Sequence, residues 1–307
     1  MLFQGARGLG EWSAFPEYDD LTASVWLESA LEQAFGPPLR REAEAFRPIT
    51  VNATFPSFRA VDDIAGWWQR FPGCTSAKIK VAERPWSHDL RVIQEVRATG
   101  PPHVLLRLDA NGRWSVDQAL NATQEGMAFG IDYLEQPVAT LEEMSRLKTE
   151  LKGSEVRLAV DELIRDPSTA EDALDKSIAD VAVLKVSPLG GVRRTLALAQ
   201  RAKRAGLEVT ISSALDSSVG LSWSLYAASA LRQQNVALGD SGLGTSVFFR
   251  EEVVAEPLMV EDGSVGLARP VLDLQQLRKL EAPITRVNWW HRRLERCLPA
   301  ALERISE

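Results

Sequence analysis

Five charged residues each end a short apolar segment, and their side chains are of types that can carry out acid–base chemistry at a metal centre. They are Lys80, Asp109, Glu135, Asp161 and Lys185. Consecutive members are roughly 25 residues apart, which is about the length of one strand–helix unit. In a barrel, equivalent positions at the carboxyl ends of the strands surround a single cavity. We therefore expect these five side chains to meet in one site.

The chemistry of this predicted site follows from its charges. Three carboxylates on successive strands repel one another unless a cation lies between them. Ligands that are all oxygen suit a hard ion, so Mg²⁺ is favoured over zinc, with Mn²⁺ as an alternative. Lys78 and Lys80 lie on one side of the carboxylates and Lys185 on the other. A lysine near a divalent cation and away from bulk water has a lowered pKa and can act as a base.

This combination predicts removal of a proton next to a substrate carboxylate, with the metal stabilising the resulting enediolate. A histidine base is not expected, because the chain has only three histidines and none ends a predicted strand. Taken singly, an Asp or Glu at a strand end commonly caps a helix, and alternating lysines such as Lys78 and Lys80 occur on solvated edge strands. Five such residues in register favour the functional interpretation.

Two weaker motifs follow the later strands. The backbone N–H groups of Gly239–Gly244 could bind a substrate carboxylate, although a glycine-rich turn without a ligand explains the segment equally well. It is not a nucleotide-binding loop, because no Gly-Lys-Ser/Thr follows. Ser212 and Ser213 could donate hydrogen bonds to a substrate or cap the next helix.

The elements that must position these residues alternate in type along the chain. Helices are expected to begin at the capping boxes Ser115-x-x-Gln118, Thr140-x-x-Glu143 and Ser168-x-x-Glu171. Short apolar runs between the helical stretches predict seven strands, at 77–81, 104–109, 131–135, 158–161, 181–186, 209–213 and 236–240. This alternation predicts an α/β fold with parallel strands that are buried on both faces. It does not by itself distinguish an open sheet from a closed barrel.

Composition excludes several classes of protein. The 307 residues suffice for two domains or for one large barrel with an addition, and 45% of them are hydrophobic. The formal charge of −7 argues against a general nucleic-acid binder. No apolar run approaches a membrane span, and the start of the chain does not have the pattern of a secretory signal. With only two distant cysteines, Cys74 and Cys297, we expect a protein of the reducing cytoplasm. From the charge and the lack of an apolar span, we expect it to bind neither nucleic acid nor membrane.

Beyond these patterns, the chain resembles the muconate-lactonizing branch of the enolase superfamily. Within that branch it resembles the o-succinylbenzoate synthase family of the actinobacterial type. The segments that carry the resemblance are Gly10–Tyr18, Lys78-Ile79-Lys80, Arg107–Asn111, Glu135-Gln136-Pro137, Asp161-Glu162, Leu184-Lys185 and Ile211–Gly220.

The resemblance implies a modified (β/α)₇β barrel with an α+β capping domain, the cap, built from both chain ends. We accordingly expect residues 1–75 to form the N-terminal part of the cap. Residues 76–255 would form the barrel with the active site, and residues 256–307 would return to the cap. Gly10-Glu11 stands earlier in the chain than in the family, which implies either that the start of the sequence is mis-assigned or truncated, or that the N-terminal part of the cap is shortened and its lid reduced.

Residue roles are also implied by the resemblance. Lys80 would remove the α-proton and then act as acid toward the departing hydroxyl, while Lys185 would stabilise the intermediate from the opposite side. Lys78 would keep Lys80 neutral through like-charge proximity. The residues implied to bind Mg²⁺ are Asp109, Glu135 and Asp161. Those implied to support the site or to contact the substrate are Arg107, Asn111, Ser212 and the Gly239 backbone.

The activity implied is a metal-assisted syn dehydration that forms o-succinylbenzoate for menaquinone biosynthesis, with a small carboxylate as substrate. One alternative keeps the fold and predicts an N-acylamino acid racemase or related epimerase, with Lys80 and Lys185 as two bases. A second alternative is a barrel that binds such a ligand but turns it over poorly because its lid is missing. The sequence does not indicate an oligomeric state.

Overall fold

The computed structural model describes residues 1–36, 47–58, 63–166, 168–175 and 177–306. Its strands are β1 (Leu2–Gln4), β2 (Leu9–Glu11), β3 (Ile49–Thr50), β4 (Ala53–Phe55), β5 (Ser76–Lys80), β6 (Leu105–Asp109), β7 (Ile131–Glu135), β8 (Arg157–Val160), β9 (Val181–Lys185), β10 (Glu208–Ser212), β11 (Val260–Glu261) and β12 (Ser264–Val265). Its helices are α1 (Asp20–Phe35), α2 (Ile64–Trp68), α3 (Trp86–Thr99), α4 (Val116–Gly126), α5 (Leu141–Glu150), α6 (Glu162–Arg165), α7 (Ala170–Ala173), α8 (Val192–Ala205), α9 (Ser218–Gln233), α10 (Leu274–Lys279) and α11 (Ile284–Ser306).

A curled parallel sheet forms the centre of the molecule. It contains seven strands in the order β10-β9-β8-β7-β6-β5-β4, so strands that follow one another in the chain are neighbours in the sheet. Parallel neighbours need crossover connections, and helices supply most of them on the outside of the sheet. The strands are apolar on both faces because helices cover the outside and other strands face them across the inside. In β9, for example, every residue is buried.

Residues 237–242 complete the circle, because they bond to β10 at one edge of this sheet and, at the other edge, to residues 50–52, which lead into β4. On one side the Gly242 N–H donates to the Ile211 carbonyl of β10, at 2.8 Å. On the other side the Ser241 N–H donates to the Thr50 carbonyl, at 2.9 Å. The pairing consists of isolated bridges rather than a continuous strand. The fold is therefore a TIM-like barrel, as the resemblance implied.

The predicted strand set differs from the observed one at both ends. The strand β4 was missed, because three residues are too few to show a pattern against their surroundings. The predicted strand at 236–240 is instead part of the irregular closing segment. Two of the three predicted capping boxes are confirmed, at Ser115 and at Thr140. The third is wrong, because α7 begins after Thr169 and the Ser168 hydroxyl donates to Asp166 instead.

Both chain ends contribute to the cap. The hairpin of β1 and β2 packs on α1, and the C-terminal helix α11 lies along α1. Trp12, Trp26 and Cys297 are buried together at this contact. This arrangement confirms the predicted α+β cap drawn from both ends of the chain.

The exact division at residues 75 and 255 stays a prediction, and β4, inside the first predicted range, pairs with the barrel strand β5. Among the described residues, no helix is both long enough and apolar enough to cross a membrane.

Candidate active site

The five charged strand-end residues lie together at the carboxyl ends of the barrel strands. Strand pairing aligns Lys80 with Asp109 and Asp109 with Glu135, so these three side chains form one row across β5, β6 and β7. Asp161 directly follows β8, and Lys185 ends β9 opposite Ser212. Side chains alternate between the two faces of a strand, so the interior position two residues below Lys80 is Lys78. The regular strand–helix spacing in the sequence thus places these charged side chains at the same height in the barrel.

Each lysine of the site contacts a buried carboxylate. Lys80 Nζ lies 2.5 Å from Asp109 Oδ2, and Lys185 Nζ lies 2.5 Å from Asp161 Oδ2. Lys78 Nζ lies 3.0 Å from Glu135 Oε1 and 3.3 Å from Asp109 Oδ2. All three carboxylates are at most 1% exposed, so the ammonium groups compensate charges that water does not reach.

The electrostatics divide the three carboxylates into two kinds. Burial alone would raise the pKa of Asp109 and of Asp161. The two lysines of β5 outweigh burial at Asp109 and lower its pKa. The Arg165 guanidinium and the Lys185 ammonium do the same at Asp161 and lower its pKa as well. Glu135 differs, because burial and then the Asp109 carboxylate raise its pKa to about 7. Negative charge at Glu135 is therefore compensated incompletely by the protein's own cations.

The lysines also differ from one another. Burial acts to lower the pKa of Lys78, but the Glu135 and Asp109 carboxylates outweigh it and raise the pKa above its ordinary value. The pKa of Lys185 is lowered, first by burial and second by the nearby Arg165 guanidinium. The pKa values of these two lysines are therefore shifted in opposite directions although both side chains are buried.

The donor set fits a hard divalent cation by its chemistry. It consists of carboxylate oxygens, and the raised pKa of Glu135 indicates that further positive charge would be favourable there. Within the described part of the chain, no three His, Cys, Asp or Glu side chains are grouped closely enough to bind one ion together. Lysine ammonium groups contact oxygens of these carboxylates, so a metal held by the carboxylates would compete with the lysines for them.

A cavity of about 480 Å³ opens above this cluster, between the barrel and the cap. That volume is in the range of small-molecule sites. Its basic side chains outnumber its acidic ones, which suits an anionic ligand. Those that line it are the basic residues Lys78, Lys80, Arg113, Arg165 and Lys185, the acidic Glu17 and Glu162, the cap residues Phe15, Tyr18 and Trp26, and Thr54, Pro56, Asn111, Ser212, Ser213, Ala214, Leu215, Gly242, Thr245 and Phe248.

The remaining predicted site residues fall into two groups. Asn111 and Ser212 line the cavity, and Asn111 Oδ1 accepts a hydrogen bond from Lys80 Nζ at 2.9 Å. The lining, drawn from the described residues, does not include Arg107 or Gly239. Arg107 Nη1 donates to the Asp240 carbonyl at 2.6 Å, deeper in the barrel. The Gly239 N–H donates to Val209, so Gly242 is the glycine of this segment that reaches the cavity.

Arg165 is a site residue that the sequence analysis missed. Its Nη2 donates to Asp161 Oδ2 at 2.7 Å and to Glu162 Oε1 at 3.0 Å, and its side chain lines the cavity. An arginine four residues after a strand-end Asp lies on the same side of a short helix, so this spacing could have identified it.

Family models and relatives agree with this geometry. A model described as enolase C-terminal domain-like matches residues 62–270, and one described as enolase N-terminal domain-like matches residues 1–34. The chain therefore belongs to the enolase superfamily, and it is an enzyme. Enzymes of this superfamily generally use Mg²⁺, which the buried carboxylates fit.

Within the superfamily, similar curated relatives include proteins named o-succinylbenzoate synthase. The chain is 42% identical to an o-succinylbenzoate synthase of Mycobacterium marinum, covering 100% of this chain and 89% of that protein. It is 40% identical to an o-succinylbenzoate synthase of Mycobacterium tuberculosis, covering 96% and 86%.

Solved structures give the fold. Muconate lactonizing enzyme from Pseudomonas putida matches with a TM-score of 0.69 at 24% identity, covering 83% of this chain and 75% of that one. Muconate cycloisomerase from Pseudomonas fluorescens matches with a TM-score of 0.71 at 24% identity, covering 86% and 76%.

Proposed function

We propose that this enzyme is an o-succinylbenzoate synthase, a hydro-lyase that dehydrates 2-succinyl-6-hydroxy-2,4-cyclohexadiene-1-carboxylate to o-succinylbenzoate in menaquinone biosynthesis. The identity of 40–42% to curated relatives of that name, over nearly the whole chain, supports the substrate assignment. The proposed setting is the cytoplasm, and the two free, buried cysteines suit a reducing compartment.

The observation that carries the proposal is the placement of two lysines across one cavity above buried carboxylates. Lys80 ends β5 and Lys185 ends β9, and these strands are four positions apart in the sheet. In a ring of seven strands completed by residues 237–242, four positions is the opposite side. A planar substrate carbon between the lysines therefore has one amine toward each face.

In the proposed reaction Lys80 acts on one face of the substrate. Its Nζ takes the proton from the ring carbon that bears the carboxylate. The electron pair of that C–H bond forms the new double bond, and the hydroxyl on the adjacent carbon leaves. Lys80 returns the proton to this hydroxyl, which departs as water from the same face, and the ring becomes aromatic. The Asn111 amide oxygen, which contacts Lys80 Nζ, orients the amine during both transfers.

Lys185 acts on the other face as a cation. Its side chain is only 9% exposed, so its charge acts on the substrate with little screening by water. Lys78 lies below Lys80 and is held by Glu135 and Asp109, which keeps a second positive charge beneath the reacting carbon. The basic residues around the cavity suit the two carboxylates of the proposed substrate. The Ser212 hydroxyl and the Gly242 backbone line the same cavity and would contact the succinyl end.

Asp109, Glu135 and Asp161 are the residues that would hold Mg²⁺, with Mn²⁺ as a substitute. When bound, the metal supplies Lewis-acid stabilisation of the charge that develops on the substrate carboxylate. Asp109 Oδ2 accepts from the Lys80 ammonium at 2.5 Å, so a metal held by Asp109 would compete with Lys80 for this carboxylate.

An epimerase is the second candidate, and the same pair of facing lysines favours it. A base on each face could remove the α-proton of an N-acylamino acid from one side and return one from the other. The lowered pKa of Lys185 suits it to such a role.

The decisive experiment replaces Lys80 with Ala and measures o-succinylbenzoate formation in Mg²⁺, before and after chelation. We expect Lys80→Ala to lose at least about 100-fold in kcat, because a positioned acid–base group contributes roughly that much or more. Lys152→Ala, at an exposed lysine outside the site, is the matched control and should keep the wild-type rate. A wild-type rate in a folded Lys80→Ala variant would remove Lys80 from its role.

Incubation in D₂O separates the candidates. The wild-type enzyme is given the synthase substrate and, separately, an N-succinylamino acid. Racemisation or α-deuteration of the amino acid without any dehydration would favour the epimerase. Mg²⁺-dependent thermal stabilisation with neither reaction would favour a barrel that binds its ligand without turnover.

A further inference from the structure

Arg293 on the C-terminal helix α11 is a buried cation that lies away from the reacting residues. It is 1% exposed. Its Nη1 donates to the Ala14 carbonyl at 3.2 Å, and its Nη2 donates to the Phe15 and Tyr18 carbonyls at 3.0 and 2.7 Å. Arginine presents several N–H donors in a rigid plane, so one side chain can bind three carbonyls of one segment at once.

The segment that Arg293 binds has little secondary structure of its own. Residues 12–19, all of them described, form no helix or strand between β2 and α1. One backbone hydrogen bond within the segment joins the Tyr18 N–H to the Phe15 carbonyl, at 3.2 Å. Buried carbonyls need donors, and the Arg293 guanidinium supplies them here. These hydrogen bonds tie the segment to the C-terminal helix, across 275 to 279 positions of the chain.

The same segment forms the cap side of the active-site cavity. Phe15 and Tyr18 line the cavity together with Trp26 of α1. The three rings pack on one another, with centroids 5.5 Å apart for Phe15 and Tyr18, 5.6 Å for Phe15 and Trp26, and 6.0 Å for Tyr18 and Trp26. We call these three residues the aromatic wall. It faces the basic residues of the barrel, so a ligand with a flat ring and carboxylates meets apolar surface on one side and positive charge on the other.

We propose that Arg293 is a positioning residue that sets the affinity of the cavity for its ring-bearing carboxylate substrate, by holding the aromatic wall in place from the cap side. The identity of that substrate rests on the proposed function. The reacting lysines stand on barrel strands that Arg293 does not touch. Loss of Arg293 should therefore weaken substrate binding more than it slows the chemical step.

The test compares Arg293→Met and Arg293→Lys with Arg296→Met. Met keeps much of the apolar stem and removes every donor, while Lys keeps the charge but not the planar fork. Arg296 lies three residues further along α11 and pairs with Asp20 of α1 at 2.6 Å, so its loss weakens the contact between the two helices without touching residues 14–18. If Arg293→Met does not fold, Arg293→Lys carries the test.

Three quantities are measured: KM and kcat, the affinity for o-succinylbenzoate, and hydrogen exchange of a peptide covering residues 12–19. For both Arg293 variants we expect KM and the product Kd to rise roughly 10-fold or more, kcat to stay within about 3-fold, and exchange at residues 12–19 to quicken. Arg296→Met should leave all three near wild type.

An unchanged KM and product Kd in the Arg293 variants would overturn the inference, and so would an equal effect of Arg296→Met. A fall in kcat at constant KM would also overturn it. Failure of the proposed function is recognised separately, because the wild-type enzyme would then form no o-succinylbenzoate. In that event hydrogen exchange, together with the affinity for benzoate-type dicarboxylates as probes, still decides whether Arg293 holds the wall.

Discussion

Replacing Asp216 with Asn should change how the stability of the protein depends on pH. Asp216 follows β10 and is 1% exposed, with its carboxylate accepting from the Ser187 hydroxyl at 2.9 Å and the Ala214 N–H at 3.1 Å. Glu11 of the cap approaches the same place and accepts from the Gly220 N–H at 2.9 Å. Burial, and then the Glu11 carboxylate, raise the pKa of Asp216 from 3.8 to about 6.

The sign of the effect follows from proton binding. Because the folded state holds the Asp216 proton more tightly than the unfolded state, this group makes the folded protein less stable as pH rises from about 4 to about 6, and the loss is constant above that. The change in the pKa of Asp216 from 3.8 to about 6 corresponds to about 3 kcal/mol in total. Of this, about 1.4 kcal/mol falls between pH 5 and pH 8, where the experiment is practical.

The assay is urea denaturation of the wild type and of Asp216→Asn at pH 5, 6, 7 and 8, followed by circular dichroism and tryptophan fluorescence. Coincidence of the two transitions is needed for a free energy of unfolding. We expect the variant's free energy minus that of the wild type to increase by about 1.4 kcal/mol from pH 5 to pH 8. Glu11→Gln should reduce the wild-type slope only in part, because burial of Asp216 remains.

Asp175→Asn is the matched control. Asp175 is exposed and its pKa is lowered by hydrogen bonds from the Ser177 backbone and side chain, so its titration lies at low pH and its difference from wild type should be constant from pH 5 to pH 8. A constant difference for Asp216→Asn as well, or one that decreases with pH, would refute the reasoning.

Two further predictions concern stability and reactivity. Thr140→Ala should lower the free energy of unfolding by about 1 kcal/mol, because the Thr140 hydroxyl accepts from the Glu143 N–H at the start of α5. Ser168 caps no helix, so Ser168→Ala should change the free energy of unfolding by less than about 0.5 kcal/mol. Equal losses for the two variants in urea titrations would contradict this prediction. The Cys74 and Cys297 thiols should resist iodoacetamide at pH 8 in the native protein and react once it is unfolded. The reason is that burial first, and a nearby Asp carboxylate second, raise the pKa of Cys74 to about 12 and that of Cys297 to about 11. Rapid labelling of either thiol in the native state would count against the buried positions.

Periodicity allowed much of the barrel to be predicted. The strand–helix spacing identified the level at which Lys80, Asp109, Glu135, Asp161 and Lys185 lie, because strand side chains alternate strictly and parallel neighbours repeat the same unit. The capping boxes at Ser115 and Thr140 were readable for a similar reason, since both partners lie within four residues.

Features that depend on distant residues could not be predicted in this way. The strand β4 and the closing segment 237–242 are recognisable only by the neighbours to which they bond. The sequence does not distinguish Gly239 from Gly242 as the glycine that reaches the cavity. Gly242 reaches it because of the register in which this segment bonds to β10. The position of Arg107 in the motif predicted a residue of the site, but its guanidinium donates to the Asp240 carbonyl deeper in the barrel.

By itself, the sequence determined the α/β class and the level of charged residues at the strand ends, and the chemistry predicted for that level stays a prediction. These depend on local alternation and on short-range capping, which act over a few residues. Only the tertiary structure decided how that chemistry is enclosed. The support of the aromatic wall by Arg293 and the contact of Glu11 with Ser217, the residue that caps α9, join residues more than 200 positions apart. Such contacts depend on how the two chain ends pack against the barrel, and no local pattern in the sequence records them.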